Sequence, residues 1–191
     1  SFHHFIGVEP STPMLQDAKN VLEKVSNVLH FEQSTFVNAG IEQYLCKIHV
    51  EQKEGIIAIA TFSMNAIPSD QRKKIFRQIE IVFPKLEALI IVEFACDFLN
   101  QPDTTQQIFE RYIKGVYEYK GKEKAIQGFL LPVLLGNFQD SVNYAPSTHE
   151  QSIEAWEKEF RASTKCEYEM KRVHLFSYWW ADCVALEIRK K

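Results

Sequence analysis

Glycine is scarce in this chain, with seven in 191 residues. Loops that cradle phosphates or cofactors use glycine to bring backbone close to a ligand, so the scarcity argues against a nucleotide enzyme. The patterns that would reverse this reading are missing. There is no G-x-G-x-x-G and no G-x-S-x-G, and Gly115 and Gly121-Lys122 lie one residue too far apart for a P-loop, with Glu123 in place of the metal-binding hydroxyl. Cysteine is also sparse. Cys46, Cys96, Cys166 and Cys183 are widely scattered, mostly inside apolar runs, and read as small buried hydrophobes in a reducing compartment rather than a disulfide frame. No Asn-x-Ser/Thr acceptor occurs, and no apolar run reaches the roughly 18 residues of a membrane-spanning helix. The start, Ser1-Phe2-His3-His4-Phe5-Ile6, lacks the basic head and apolar core of a signal peptide. These absences predict a cytosolic protein without membrane insertion.

An excess of one charge is missing too. Twenty-two Lys and Arg face 25 Asp and Glu, for a net charge of −3, so no global field favours nucleic acid or an anionic membrane. The one basic cluster, Arg72-Lys73-Lys74 with Arg77, falls within a helical pattern and reads as a solvated helix face.

What remains is ordinary globular material, 46% hydrophobic and 25% charged. The length suits one domain. Residues 1–191 are therefore expected to form a single α/β or α+β domain, a mixed β-sheet with about four helices packed on it, fraying at 1–10 and 188–191. Thr12-Pro13 opens a helix running to about Leu29, with Ala18, Val21, Leu22, Val25 and Val28 at helical spacing. From Ile41, alternation of Tyr44, Cys46, Ile48 and Val50 with polar neighbours predicts a strand, and Ile56 to Phe62 returns as its hairpin partner. Pro68-Ser69-Asp70 starts a second helix, with Ile75, Phe76, Ile79, Val82 and Phe83 on one face and Pro84 as its stop, and Leu86 to Ala95 reads as a central strand. A third helix follows Pro102-Asp103. Tyr117–Tyr119 and Ala125–Leu135 read as strands around a charged turn, and Ser147 with Glu150 forms a capping box for a fourth helix carrying Ile153, Trp156 and Phe160. The end is strand-like from Cys166 to Trp180. Asp182 to Lys191 fits a short helix or more strand.

The chemistry-bearing residues form no recognisable motif. Cys46 and His49 point to opposite faces of a strand and lack a second ligand pair, so no metal is expected. His174 with Asp182 and either Cys166 or Cys183 makes a conceivable Cys-His-Asp set, although a hydrogen-bonded structural histidine is the simpler reading. Glu93 interrupts an apolar strand. A carboxylate there is costly unless paired, so Glu93, Asp97 and His174 define the alternative of a small hydrolase or degenerate metal-dependent nuclease. Ala95 stands where such a nuclease carries lysine.

Aromatic residues carry the leading expectation. Fourteen Phe, seven Tyr and three Trp exceed what one small core obviously needs, and Trp179 and Trp180 are adjacent, so on a strand they face opposite ways. Phe176, Tyr178, Trp179 and Trp180 are thus the candidate partner-binding residues. The favoured reading is a non-enzymatic cytosolic adaptor or chaperone-like subunit that binds another protein or peptide segment and needs no cofactor. In size, mild acidity and element order the chain is similar to small adaptors and chaperones of bacterial secretion systems. Its Phe, Ile, Lys, Asn and Gln usage suggests an AT-rich bacterial source.

Overall fold

The computed structural model describes residues 2–25, 28, 31–48, 55–95, 110, 113–114, 118, 122–125, 149, 151–177 and 182–191. They fall in two compact units, Ser1–Glu51 and Gln52–Lys191. The α/β class is as expected, with a mixed sheet and four helices of two turns or about two turns and more among the described residues.

The first unit is a β-α-β crossover. Strand β1 (Phe2–Val8), helix α1 (Thr12–Val25) and strand β2 (Phe31–Val37) place the two strands side by side and parallel, from Phe2 opposite Phe31 to Val8 opposite Val37. Parallel neighbours need such a crossover. The expected fraying of residues 1–10 is corrected here, because β2, which the sequence did not reveal, pairs with β1. The His4 Nε2 to Thr35 Oγ1 contact of 2.8 Å and the Phe5 and Phe36 rings, 5.8 Å apart, tie the strands together. Gly7 lies under that ring, and a Cβ there would stand 3.0 Å from Phe36. Helix α1 starts one residue after Ser11, whose carbonyl accepts the Leu15 N–H at 2.9 Å. Pro13 falls in the first turn, where no N–H is needed. The helix buries only Leu15 and leaves Met14 and Val21 exposed.

Residues Ile41–Lys47 form helix α2, not the predicted strand. Ile41, Tyr44, Leu45 and Ile48 recur at positions i, i+3, i+4 and i+7, so the segment satisfies the helical period as well as the alternation. Ile48 N–H closes the last turn on Tyr44 O, and Leu45 is the buried residue. With a helix there the predicted hairpin cannot form.

The second unit holds a four-stranded sheet ordered β3-β4-β6-β5, from Ile56–Thr61 (β3), Leu86–Ala95 (β4), Tyr168–Ser177 (β5) and Asp182–Lys190 (β6). Strand β3 runs parallel to β4, whereas β6 is antiparallel to both β4 and β5. Helix α3 (Ser69–Val82) makes the β3–β4 crossover and buries Ile75, Phe76 and Ile79, as its spacing predicted. Helix α4 (Ile153–Ser163) is capped by Ser152, whose Oγ accepts the Ala155 N–H, so it begins after the predicted Ser147 cap. The buried Phe160 ring meets Phe76 at 5.0 Å and Tyr168 at 5.1 Å, edge to face.

The chain end resolves as strand. Ile188 pairs with Leu89 on one side and Met170 on the other and is buried, which corrects the expected fraying at 188. Glu118 is helical and Lys122–Ala125 forms a helical turn, correcting the predicted strand 117–119 and the simple turn after it. Most of the predicted third helix and of the strand 125–135 lies outside the described residues. No helix among the described residues is long and apolar enough to cross a membrane.

Candidate functional site

In open α/β sheets, ligands bind beyond the carboxyl ends of the parallel strands. Each unit has such an end. In the second unit it is the loop Phe62–Pro68, between β3 and α3. Phe62 has φ +48°, a left-handed conformation uncommon for a bulky residue. It is held there by its N–H, which donates to Val92 O at 2.9 Å, and by stacking of its ring on Phe94 at 4.7 Å.

Two buried charges of opposite sign grip the next residues. Glu93, 2% exposed on β4, accepts the N–H groups of Met64 at 2.9 Å and Asn65 at 3.3 Å through Oε1. Arg72, 1% exposed on α3, donates from Nη1 to the carbonyls of Ile67 at 2.6 Å, Met64 at 3.4 Å and His149 at 3.3 Å. Its Nε and Nη2 form a fork on Glu159 of α4, at 2.7 and 2.9 Å, and its guanidinium lies 4.5 Å from the Trp156 ring centre. Ser69 Oγ adds a bond to Glu159 Oε2 at 2.9 Å. Arg72 therefore belongs to the core, correcting its reading as part of a solvated basic face. A bidentate fork with further hydrogen bonds is the geometry that compensates the desolvation of two buried charges.

This arrangement also answers the hydrolase or nuclease alternative. Glu93 acts as an anchor for loop N–H groups, and Asp97 lies outside the described residues. His174 faces the same β6 residue as Glu93, Val184, from the other side. The two are thus two strand spacings apart, roughly 10 Å. His174 is exposed, and its Nε2 faces both Ser177 Oγ at 3.2 Å and Asp182 Oδ1 at 3.9 Å. One nitrogen serving both partners leaves no relay of the triad kind. Burial, with the Glu93 charge adding to it, pushes the Cys183 thiol above its ordinary value, away from a thiolate nucleophile. His149 lies before α4 and not in its first turn, donating its backbone N–H to Asn65 O at 2.6 Å.

Of the predicted partner-binding residues, Phe176 stands opposite Cys183 and is 46% exposed on β5. Tyr178, Trp179 and Trp180 lie outside the described residues. Among the described residues no group of three metal-ligating side chains comes together.

In the first unit the carboxyl end of β1 carries Glu9, which sequence reasoning passed over. Its N–H donates to Val37 O at 3.1 Å, extending the β1–β2 pairing by one residue. Its Oε1 accepts the Ser11 N–H at 2.7 Å, which fixes the carboxylate beside the start of α1. Asn38, just past β2, donates from Nδ2 to the carbonyls of Glu9 at 3.0 Å and Pro10 at 2.9 Å. The available signal was an acidic residue directly after Ile6-Gly7-Val8 and before a Ser-Thr-Pro helix start, and it is legible only once β1 is known to be a strand.

No family model and no curated protein sequence matches this chain. Solved structures do resemble it. The mitomycin 7-O-methyltransferase MmcR has a TM-score of 0.54 at 10% identity, over 100% of this chain and 49% of its own. LaPhzM gives 0.52 at 13% identity over 100% of this chain and 43% of its own. LepI in complex with SAM gives 0.51 at 10% identity, over 100% of this chain and 37% of its own. The chain thus spans less than half the length of these three proteins. At such identities the likeness shows the fold, and that fold is one used by a methyltransferase and by a protein that binds SAM. The expectation of a non-enzymatic adaptor or chaperone-like subunit with a solely polypeptide partner is corrected by this likeness, because the named structures that share the fold are a methyltransferase and a protein in complex with SAM rather than adaptors or chaperones.

Proposed function

We propose that this protein binds S-adenosylmethionine and belongs to an enzyme acting on a small organic molecule, with methyl transfer as the reaction. The observation that carries the reading is Glu9, a carboxylate fixed at the carboxyl end of β1 within a β-α-β unit. In dinucleotide-binding folds an acidic residue about 20 residues beyond the glycine-rich turn accepts hydrogen bonds from ribose hydroxyls, and Glu9 offers the same chemistry at a strand's carboxyl end. The adenosine of SAM offers two such donors, so the chemistry of the residue fits the ribose half. The sequence has no glycine-rich turn, and no residue is assigned to the methionine half. When bound, SAM supplies an electrophilic methyl group on a sulfonium sulfur.

The chain's own contribution is positioning. Ser11 N–H and the Asn38 amide hold Glu9 and its loop before any ligand arrives, which lowers the ordering cost of binding. A small-molecule acceptor agrees with the name of MmcR, a mitomycin 7-O-methyltransferase. The cytosolic setting expected from the scattered cysteines is part of this proposal.

Calorimetric titration of SAM into the full-length protein tests it. Wild type is expected to bind, and Glu9→Gln to weaken binding by about tenfold or more, the worth of hydrogen bonds to a charged acceptor. Equal affinity in the two proteins, or no binding by wild type, overturns the reading.

A further inference from the structure

The Glu9 carboxylate is not held by its own strand alone, because one side chain from the neighbouring strand spans the whole loop that carries it. Asn38 follows β2 by one residue, as Glu9 follows β1, and Val8 and Val37 are register partners. Past that pair, Glu9 N–H makes the last inter-strand bond, to Val37 O. The chain must then turn within three residues, Glu9-Pro10-Ser11, to enter α1. Pro10 has no N–H to give, so the loop carbonyls need an outside donor. Asn38 Nδ2 supplies it to both Glu9 O and Pro10 O. Asn38 Oδ1 accepts from Thr12 Oγ1 at 3.3 Å, on the first residue of the helix. One amide group therefore touches the loop at its start, its middle and its exit.

We propose that Asn38 is a positioning residue for recognition of the ribose diol, acting through Glu9 without needing to touch the ligand. The inference rests on the reading of Glu9 given above and adds to it the group that sets the carboxylate's place. The carboxylate is tied to Ser11 N–H at 2.7 Å. Its direction therefore follows the path of Glu9-Pro10-Ser11, and that path is what Asn38 fixes. A hydroxyl donor is recognised only when the acceptor stands within a few tenths of an ångström of its ideal place. Asn38 is itself exposed, so its loss is expected to show in ligand selectivity far more than in folding.

The test compares S-adenosylhomocysteine with its 2′-deoxy analogue by calorimetry on the full-length protein. Wild type is expected to prefer the ribose form by about tenfold or more. Asn38→Ala is expected to reduce that preference to about threefold or less, with affinity for the 2′-deoxy analogue within about twofold of wild type. Thr12→Val leaves both Nδ2 bonds in place and is expected to keep most of the preference. Adding Asn38→Ala to Glu9→Gln is expected to change little, because the two act as one unit. An undiminished preference in folded Asn38→Ala overturns this inference alone. Equal loss of affinity for both ligands in Asn38→Ala also overturns it, since that is the mark of a general structural role. Absence of binding by wild type overturns the ribose reading and this inference with it.

Discussion

Helices α1 and α3 do the same topological work and are held in different ways. Each joins two parallel strands in a β-α-β crossover. Helix α3 is sewn into its unit by Ile75, Phe76, Ile79 and the buried Arg72–Glu159 fork, and α4 packs beside it. Helix α1 buries only Leu15, and the bonds that fix its entry are polar ones from Glu9, Ser11, Thr12 and Asn38. The same local motif can therefore be anchored by a core or by its loop. A loop anchored by hydrogen bonds at the strand ends is placed to meet a ligand, whereas a core-anchored helix supplies stability.

The contrast breaks most directly with Phe76→Ala. Loss of a buried phenylalanine in α3 is expected to cost about 3–5 kcal/mol by denaturant unfolding, against less than about 0.5 kcal/mol for the exposed Val21→Ala in α1. Comparable costs in the two helices would end the comparison. Arg72→Met should cost about 3 kcal/mol by leaving Glu159 buried and unpaired, while the double variant Arg72→Met/Glu159→Leu should recover much of it. No recovery would show that the fork is worth more than its hydrophobic replacement.

A smaller effect concerns pH. Burial opposes ionisation of Glu80, but the N–H groups of Cys166 and Lys165 and the Tyr168 hydroxyl outweigh it and hold the carboxyl below its ordinary value of 4.5. The same contact works in reverse on Tyr168, whose hydroxyl burial first, and then Glu80, raise well above the usual range. A depressed carboxyl contributes stability above its unfolded value and loses it as pH falls through the folded one. Glu80→Gln should therefore flatten the fall in stability between about pH 5 and 3, read from urea midpoints, and parallel curves would refute the assignment. The smallest effect belongs to the exposed pairing of Arg172 with Glu154 and Glu157. Glu157→Gln is expected to cost under about 1 kcal/mol and less at high salt.

The core-anchored region was the legible one. The apolar line of α3, the run Leu86–Ala95 and the Trp156–Phe160 face of α4 all follow from periodicity, because burial wrote them. In the loop-anchored region only helix α1 was legible, opening at Thr12-Pro13 as its sequence predicts. Strands β1 and β2 are short and half-exposed, so little hydrophobic pattern marks them, and Ile41–Lys47 fits two periods at once. Glu93 stood out as an acid within an apolar strand, yet its work as an acceptor for Met64 and Asn65 N–H groups needs the loop's path in space. Glu9 and Asn38 carry no pattern in one dimension, since they meet only through strand pairing across 28 residues of chain and more.

The central claim, that the loop-anchored end of the first unit receives the ribose, is tested most directly by hydrogen exchange on the full-length protein with and without S-adenosylhomocysteine. Slowed exchange at the amides of Glu9, Ser11 and Thr12 and of Asn38–Gly40, absent in Glu9→Gln at the same ligand concentration, is the predicted result. Protection confined to residues beyond 51, or no protection by a ligand shown to bind, would contradict it.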